Sequence, residues 1–209
     1  SKGGNDVSKS EELERVAAEV RQCTKCLLHR GRSHAVPGDG PVDARIMFIG
    51  EAPGFHEDQQ GVPFVGAAGR FLEELLEMIG MTRDRVFIAN VIKCRPPPNR
   101  DPLPGEIEAC QPYLDRQLDI ISPRMVVTLG RFSMARFFPE TKISQIHGQA
   151  RRIDDLICYP MYHPAAALHQ PSLRSTVEDD MRRRPELLEH PERIPVYEPP
   201  PKAEQLRLL

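Results

Sequence analysis

Cys23 and Cys26 form a Cys-x-x-Cys pair, and Cys94 and Cys110 follow far downstream. The pair can grip one metal centre from a single turn, whereas each distant thiol must be delivered on its own element. Four thiolates around one centre suit zinc or an iron–sulfur cluster. A zinc ribbon would repeat the Cys-x-x-Cys pair, so the spacing favours the cluster; four unconnected buried thiols are the plain alternative. The fifth cysteine, Cys158, stands inside the apolar run Ile157-Cys158-Tyr159-Pro160-Met161 and reads as a small core residue.

A second set of residues has chemistry of another kind. Gly50-Glu51-Ala52-Pro53-Gly54 sets a carboxylate in a Gly/Pro turn, where backbone N–H groups can approach a ligand. Glu57 follows close enough to share the same cleft. Phe64, in the stiff loop 61–66, can stack on a planar base or simply belong to the core. Gly66, with Ala67, Ala68 and Gly69, opens a helix, which suits phosphate binding or close packing. Asn90 ends an apolar run, where a buried amide demands partners and offers a donor and an acceptor together. His163 precedes Pro164, so its ring is held rather than free.

These residues need elements to position them. Leu13, Val16, Ala17 and Val20 repeat at helical spacing and lead into Cys23. Short apolar runs at 45–49, 86–91, 125–129 and 157–162 predict four buried strands. Helical patterns separate them, one through Phe71, Leu72, Leu75, Leu76, Met78 and Ile79, another over 106–121. Strand–helix alternation predicts an α/β fold, a parallel sheet covered on both faces. Ligands bind such sheets beyond the carboxyl ends of the strands. Glu51, Asn90, Gly130 and His163 all fall there, pointing four strand ends at one cleft.

The 209 residues suffice for one core, expected over 11–184. Residues 1–10 are polar, and the proline-rich tail 185–209 is expected as an extended strap or partly disordered segment. No apolar run reaches the length of a membrane helix and no signal peptide opens the sequence, so a cytoplasmic, non-membrane protein is expected. The net charge of −2 does not advertise nucleic acid, so positive charge for such a partner must be local. Arg95, Arg100, Arg131, Arg151, Arg152 and Arg174 lie in or near the cleft-side loops; Arg182, Arg183 and Arg184 read as helix surface.

In their order along the chain, Gly50-Glu-Ala-Pro-Gly54, Pro63-Phe-Val-Gly66, Asn90-Val-Ile-Lys-Cys-Arg-Pro96 and His163-Pro-Ala165 resemble the family 4, iron–sulfur uracil-DNA glycosylases of base excision repair. The resemblance spans 11–184 and implies a three-layer α/β/α sandwich on a four-stranded parallel sheet. It implies that Cys23, Cys26, Cys94 and Cys110 hold a [4Fe–4S] cluster and that the partner is uracil-containing DNA, bound by a monomer. Phe64 would stack on the flipped uracil, Asn90 would read its polar edge, and His163 would hydrogen-bond its O2. Glu51 would position water and favour the cationic sugar. Gly50, Ala52 and Gly54 would line the pocket; by position alone, Glu57 or the Gly54–Phe55 backbone is the candidate to crowd the methyl of thymine. Gly66, Arg131, Leu168, His169 and Arg174 would meet the DNA, with Leu168 filling the gap left by the base.

Two departures bear on this implication. His169 stands where the family more often has arginine. The sister X-type glycosylases, which cross-link covalently to DNA, use a histidine in a Lys-Arg-Arg-Ile-His loop. Here 95–109 holds no histidine, and Gln149-Ala150-Arg151-Arg152-Ile153-Asp154 lies elsewhere and ends in aspartate. That route and a silent iron–sulfur DNA-binding module are the two alternatives; the full set Glu51, Phe64, Asn90 and His163 argues against a silent module.

Overall fold

Ile46, Met47, Phe48 and Ile49 are each almost wholly buried and form the middle of a sheet. A computed structural model describes residues 7–98 and 100–200, with the backbone alone for 184–187. In chain order the strands are β1 (Ile46–Gly50), β2 (Phe87–Asn90), β3 (Met125–Leu129), β4 (Arg151–Ile153) and β5 (Leu156–Met161). The helices are α1 (Lys9–Arg21), α2 (Phe55–Gln60), α3 (Ala67–Met78), α4 (Pro104–Ile121), α5 (Arg131–Phe137), α6 (Ile143–Ile146), α7 (Pro164–His169) and α8 (Arg174–Glu189). The sheet order is β2-β1-β3-β5-β4, parallel throughout except for β4.

Successive strand residues point to opposite faces, and helices cover both. Ile46 and Phe48 join one core with Leu72 and Leu75 of α3 and Met181 of α8. Met47 and Ile49 join another with Leu114 of α4 and Val126 of β3. This is the expected three-layer sandwich, corrected in one respect: the sheet has five strands, not four. The added strand, β4, is polar and half-buried along its length, so no apolar run announces it. It pairs antiparallel with β5, Arg152 opposite Ile157, around a turn in which Asp154 has φ 51°. The Gln149–Asp154 stretch is thus part of an edge hairpin.

Beyond the strand, the chain covers that edge. Arg152 donates its N–H to the Pro195 carbonyl at 2.8 Å and accepts one from Tyr197 at 2.9 Å, pairing groups that an open edge would expose. Residues 195–197 thus run along the edge of β4, and α8 runs to Glu189, past residue 185. Residues 1–6 and 201–209, part of the two expected terminal segments, lie outside the described residues.

The start of α4 matters for what it carries. Buried Glu106 takes two hydrogen bonds from Arg100, at 2.7 and 3.1 Å, and one from the Leu103 N–H at 2.9 Å. Arg100 holds that carboxyl below the usual range. A carboxylate in the first turn suits the helix dipole, and one turn later α4 presents Cys110. Among the described residues no helix is long and apolar enough to cross a membrane.

Candidate functional site

Gly50 and Asn90 are register partners at the carboxyl ends of β1 and β2. Their strands then stay together: Val91 and Ile92 donate to the carbonyls of Gly50 and Glu51, both at 3.0 Å. Gly50 must be glycine because a Cβ there would lie 2.5 Å from Asn90 Oδ1 and 2.7 Å from Phe64 Cζ. The amide and the aromatic ring therefore close over one strand end. Asn90 is only 2% exposed, and among the described residues its Oδ1 has no hydrogen-bond partner. An unpaired buried oxygen typically costs about 1–3 kcal/mol, so this one is poised for a ligand donor.

The Asn90 backbone is fixed from behind. Lys93 is almost fully enclosed; its Nζ donates to the Asn90 carbonyl at 2.9 Å and to Gln117 Oε1 at 2.7 Å. Gln117 in turn donates to the Pro37 carbonyl at 2.7 Å. Burial pushes the Lys93 ammonium down to about 8. Sequence reasoning placed Lys93 beside Cys94 but missed this role; its place inside an otherwise apolar run, Val91-Ile92-Lys93-Cys94, was the available signal.

Phe64 is buried, and it stacks on the His163 ring with centroids 5.4 Å apart and planes 21° from parallel. Its φ is +52°, a left-handed conformation that costs a side-chain-bearing residue about 1–3 kcal/mol. His163 caps α7, and its Nδ1 accepts the Ala165 N–H at 3.0 Å. An accepting Nδ1 places the proton of the neutral ring on Nε2. Although the ring keeps some exposed surface, the protein packed around it pushes its pKa down to about 4. His163 is therefore a neutral donor at physiological pH.

Glu51 is half-buried at the mouth. Burial raises its pKa, Asp101 raises it further, and Arg131 opposes both. Arg131 and Asp101 are themselves paired at 2.6 Å and exposed. Glu57, on α2, accepts the Gly66 N–H at 3.4 Å, and its other oxygen faces Gly54. Ala52 is half-buried beside Glu51. The structure thus gathers Gly50, Phe64, Asn90 and His163 tightly, with Glu51 at the rim.

The residues expected to meet DNA are placed unevenly. Leu168 (43% exposed) and His169 project from α7, the short helix that His163 caps. Arg174 is engaged elsewhere: it pairs with Glu74 at 2.8 Å and Glu178 at 3.0 Å, and lies over the Phe71 ring. Arg100 is spent on Glu106, and Arg95 lies over the exposed ring of Phe55. Arg151 bonds Gln149, while Arg182 and Arg183 pair with acidic neighbours on α8.

Cys23, Cys26, Cys94 and Cys110 line a single pocket between the end of α1, the segment after β2, and α4. Arg32 donates to Cys94 Sγ at 3.3 Å and to the Cys23 carbonyl at 2.7 Å. The Lys93 N–H donates to Cys110 Sγ, also at 3.3 Å. Among the described residues no three His, Cys, Asp or Glu side chains are gathered closely enough to hold a single ion. Burial pushes the Cys94 thiol up and that of Cys110 to about 11, so binding a metal there must expel protons. Cys158 lies apart, wholly buried in another core cluster.

A model of the uracil DNA glycosylase superfamily matches residues 37–185. The Type-4 uracil-DNA glycosylase of Sulfurisphaera tokodaii is 48% identical over 194 residues, which cover 88% of each chain. That of Thermotoga maritima is 41% identical over 181 residues, 84% of this chain and 94% of the relative. A Type-5 uracil-DNA glycosylase from Pyrobaculum aerophilum is 31% identical over 161 residues, 68% of this chain and 70% of the relative.

Proposed function

This chain belongs to the uracil DNA glycosylase superfamily, and we propose that it is a uracil-DNA glycosylase of the type-4 kind. It takes uracil out of the duplex and hydrolyses the bond between uracil N1 and the sugar C1′, leaving an abasic site. The observation that carries the reading is the unpartnered Oδ1 of Asn90, buried between a strand end and the Phe64 ring. A base edge with an N–H donor satisfies it.

In this reading uracil stacks on Phe64 while the Asn90 amide pairs with its N3–H and O4. As the glycosidic bond breaks, its electron pair moves into the base and negative charge grows on O2. The neutral Nε2–H of His163 donates to that oxygen. The sugar becomes cationic, and the Glu51 carboxylate stabilises it and orients the attacking water. Leu168 fills the gap left by the base, and Arg131, His169 and Gly66 meet the backbone. Arg174 is the least available of these contacts, since two carboxylates hold it.

Four thiols on the walls of one pocket, with N–H groups already aimed at two of the sulfurs, fit a thiolate-bound group. We read it as a [4Fe–4S] cluster held by Cys23, Cys26, Cys94 and Cys110. Bound there, it would cross-link the end of α1 to α4 and to the segment after Asn90. Purified protein is then expected to be brown. Serine at any one of the four positions should bleach it and lower the melting temperature, while Cys158→Ser should keep the colour. Zinc without iron on elemental analysis would overturn the cluster but not the four-ligand centre.

We read the protein as a cytoplasmic monomer acting on uracil-containing DNA. The decisive test incubates it with a uracil-containing oligonucleotide and runs denaturing gels with and without alkali. Cleavage that requires alkali is expected; a shifted, heat-stable band would mean covalent capture, and neither would mean a binding module. Asn90→Ala should lower the single-turnover rate by roughly 10–100-fold and weaken discrimination against cytosine, because the uracil edge loses its buried partner. An unchanged preference for uracil would move base reading to another group.

A further inference from the structure

We propose that Arg83 is a positioning residue that locks the base-stacking ring of Phe64 through the backbone, an inference that rests on the glycosylase reading above. Arg83 sits in the helical turn before β2, 19 residues along the chain from Phe64. Its guanidinium reaches two consecutive carbonyls, with Nη1 bonding Phe64 O at 2.5 Å and Nη2 bonding Pro63 O. The side chain is 19% exposed and is itself held by Asp39 and Glu73, at 3.7 and 3.8 Å. A planar fork with parallel donors fits a pair of adjacent carbonyls in a way that a lysine ammonium does not.

What makes the grip consequential is the strained φ of +52° at Phe64. Such a conformation persists only where its surroundings over-determine it. Gly69 of α3 leaves room from one side, because a Cβ there would lie 2.0 Å from Phe64 O. Arg83 supplies the attraction from the other. If the loop relaxes to an ordinary φ, the ring swings off the position where it faces His163 and covers Gly50. The Arg83 fork bonds the Pro63 and Phe64 carbonyls, so its effect on the ring travels through that backbone.

A double-mutant cycle separates this from a general stabilising role. Arg83→Ala, assayed well below its melting temperature, is expected to lower the single-turnover rate on uracil DNA roughly 10–100-fold, the range for losing charged hydrogen bonds to two carbonyls. Affinity for a duplex carrying an abasic site should be unchanged, since no base is there to stack. In a Phe64→Ala background the same change should cost less than about twofold, because the ring it acts through is gone. Guanidinium ion should partly restore Arg83→Gly at concentrations that leave the wild type unaffected. Arg83→Lys, the variant to use if the alanine form does not fold, should fall between. Equal losses in both backgrounds, or no loss in Arg83→Ala or Arg83→Lys, would overturn the proposal. A wild-type rate for Phe64→Ala itself would instead remove Phe64 as the stacking residue, while uracil release by the unmodified protein tests the glycosylase reading separately.

Discussion

Replacing His163 with alanine is expected to slow uracil release in a single turnover by about 10²–10³-fold, the usual loss when one donor to a developing anion is removed. The prediction rests on a tautomer. Because Nδ1 accepts the Ala165 N–H, the only ring proton left to donate is on Nε2. Burial, which pushes the imidazolium down to about 4, keeps the ring neutral at any pH where DNA repair operates. A neutral donor hydrogen-bonds O2 more strongly as negative charge grows there, and it needs no proton from solvent. Two consequences distinguish this from catalysis by an imidazolium. The rate should show no limb from His163 between about pH 5 and 8, since its own titration lies below that window. His163→Asn, which can still offer an N–H, should recover part of the loss, whereas DNA affinity should barely change in either variant. A near-wild-type single-turnover rate for His163→Ala would remove the ring from the reaction.

The placement of His163 shows what was legible in the sequence. Strand ends were readable for the four parallel strands because both faces of the sheet are covered there, so each reads as a mainly apolar run. Glu51 and His163 follow such runs and Asn90 is the polar residue that closes β2, and the topology of a parallel sheet brings such ends together. Of the five cysteines, spacing and the apolar run around Cys158 set four apart, and those four line one pocket. Hidden features were those carried by a single side chain reaching across the chain. Nothing in the local sequence marks Arg83 as the partner of Phe64, or Phe64 as left-handed, because both facts depend on a contact between α3's neighbouring loop and the turn before β2. Of the two carboxylates that hold Arg174, Glu178 is one turn along α8 and within reach of sequence reasoning, whereas Glu74 is on another helix and is not. Strand β4 was invisible for a different reason. An edge strand half-open to solvent has no need of an apolar run, and its pairing is completed by the strap at 195–197 rather than by its own composition.

The second large effect concerns Glu51, and its sign can be worked out from its neighbours. Glu51→Gln is expected to slow the chemical step by roughly 100-fold, since the amide keeps the shape but loses the charge that favours the cationic sugar. In the wild type that charge is harder to hold than in an ordinary glutamate. Burial and Asp101 both raise the Glu51 pKa, with Arg131 pulling the other way. If the carboxylate is the active form, the rate must fall as pH drops through this raised pKa, at a higher pH than an ordinary glutamate would give. The two neighbours should then move that acid limb in opposite directions. Asp101→Asn removes a like charge and shifts the limb to lower pH; Arg131→Ala removes the favourable charge, leaves Asp101 unpaired and shifts it higher. The exposed Arg131–Asp101 pair at 2.6 Å thus does more than bridge the rim, because its two charges push the Glu51 pKa in opposite directions on top of the larger effect of burial. Single-turnover rates across the acid range for the wild type and the three variants measure this directly. An acid limb that survives intact in Glu51→Gln would belong to another group, and the carboxylate would then have no part in the step.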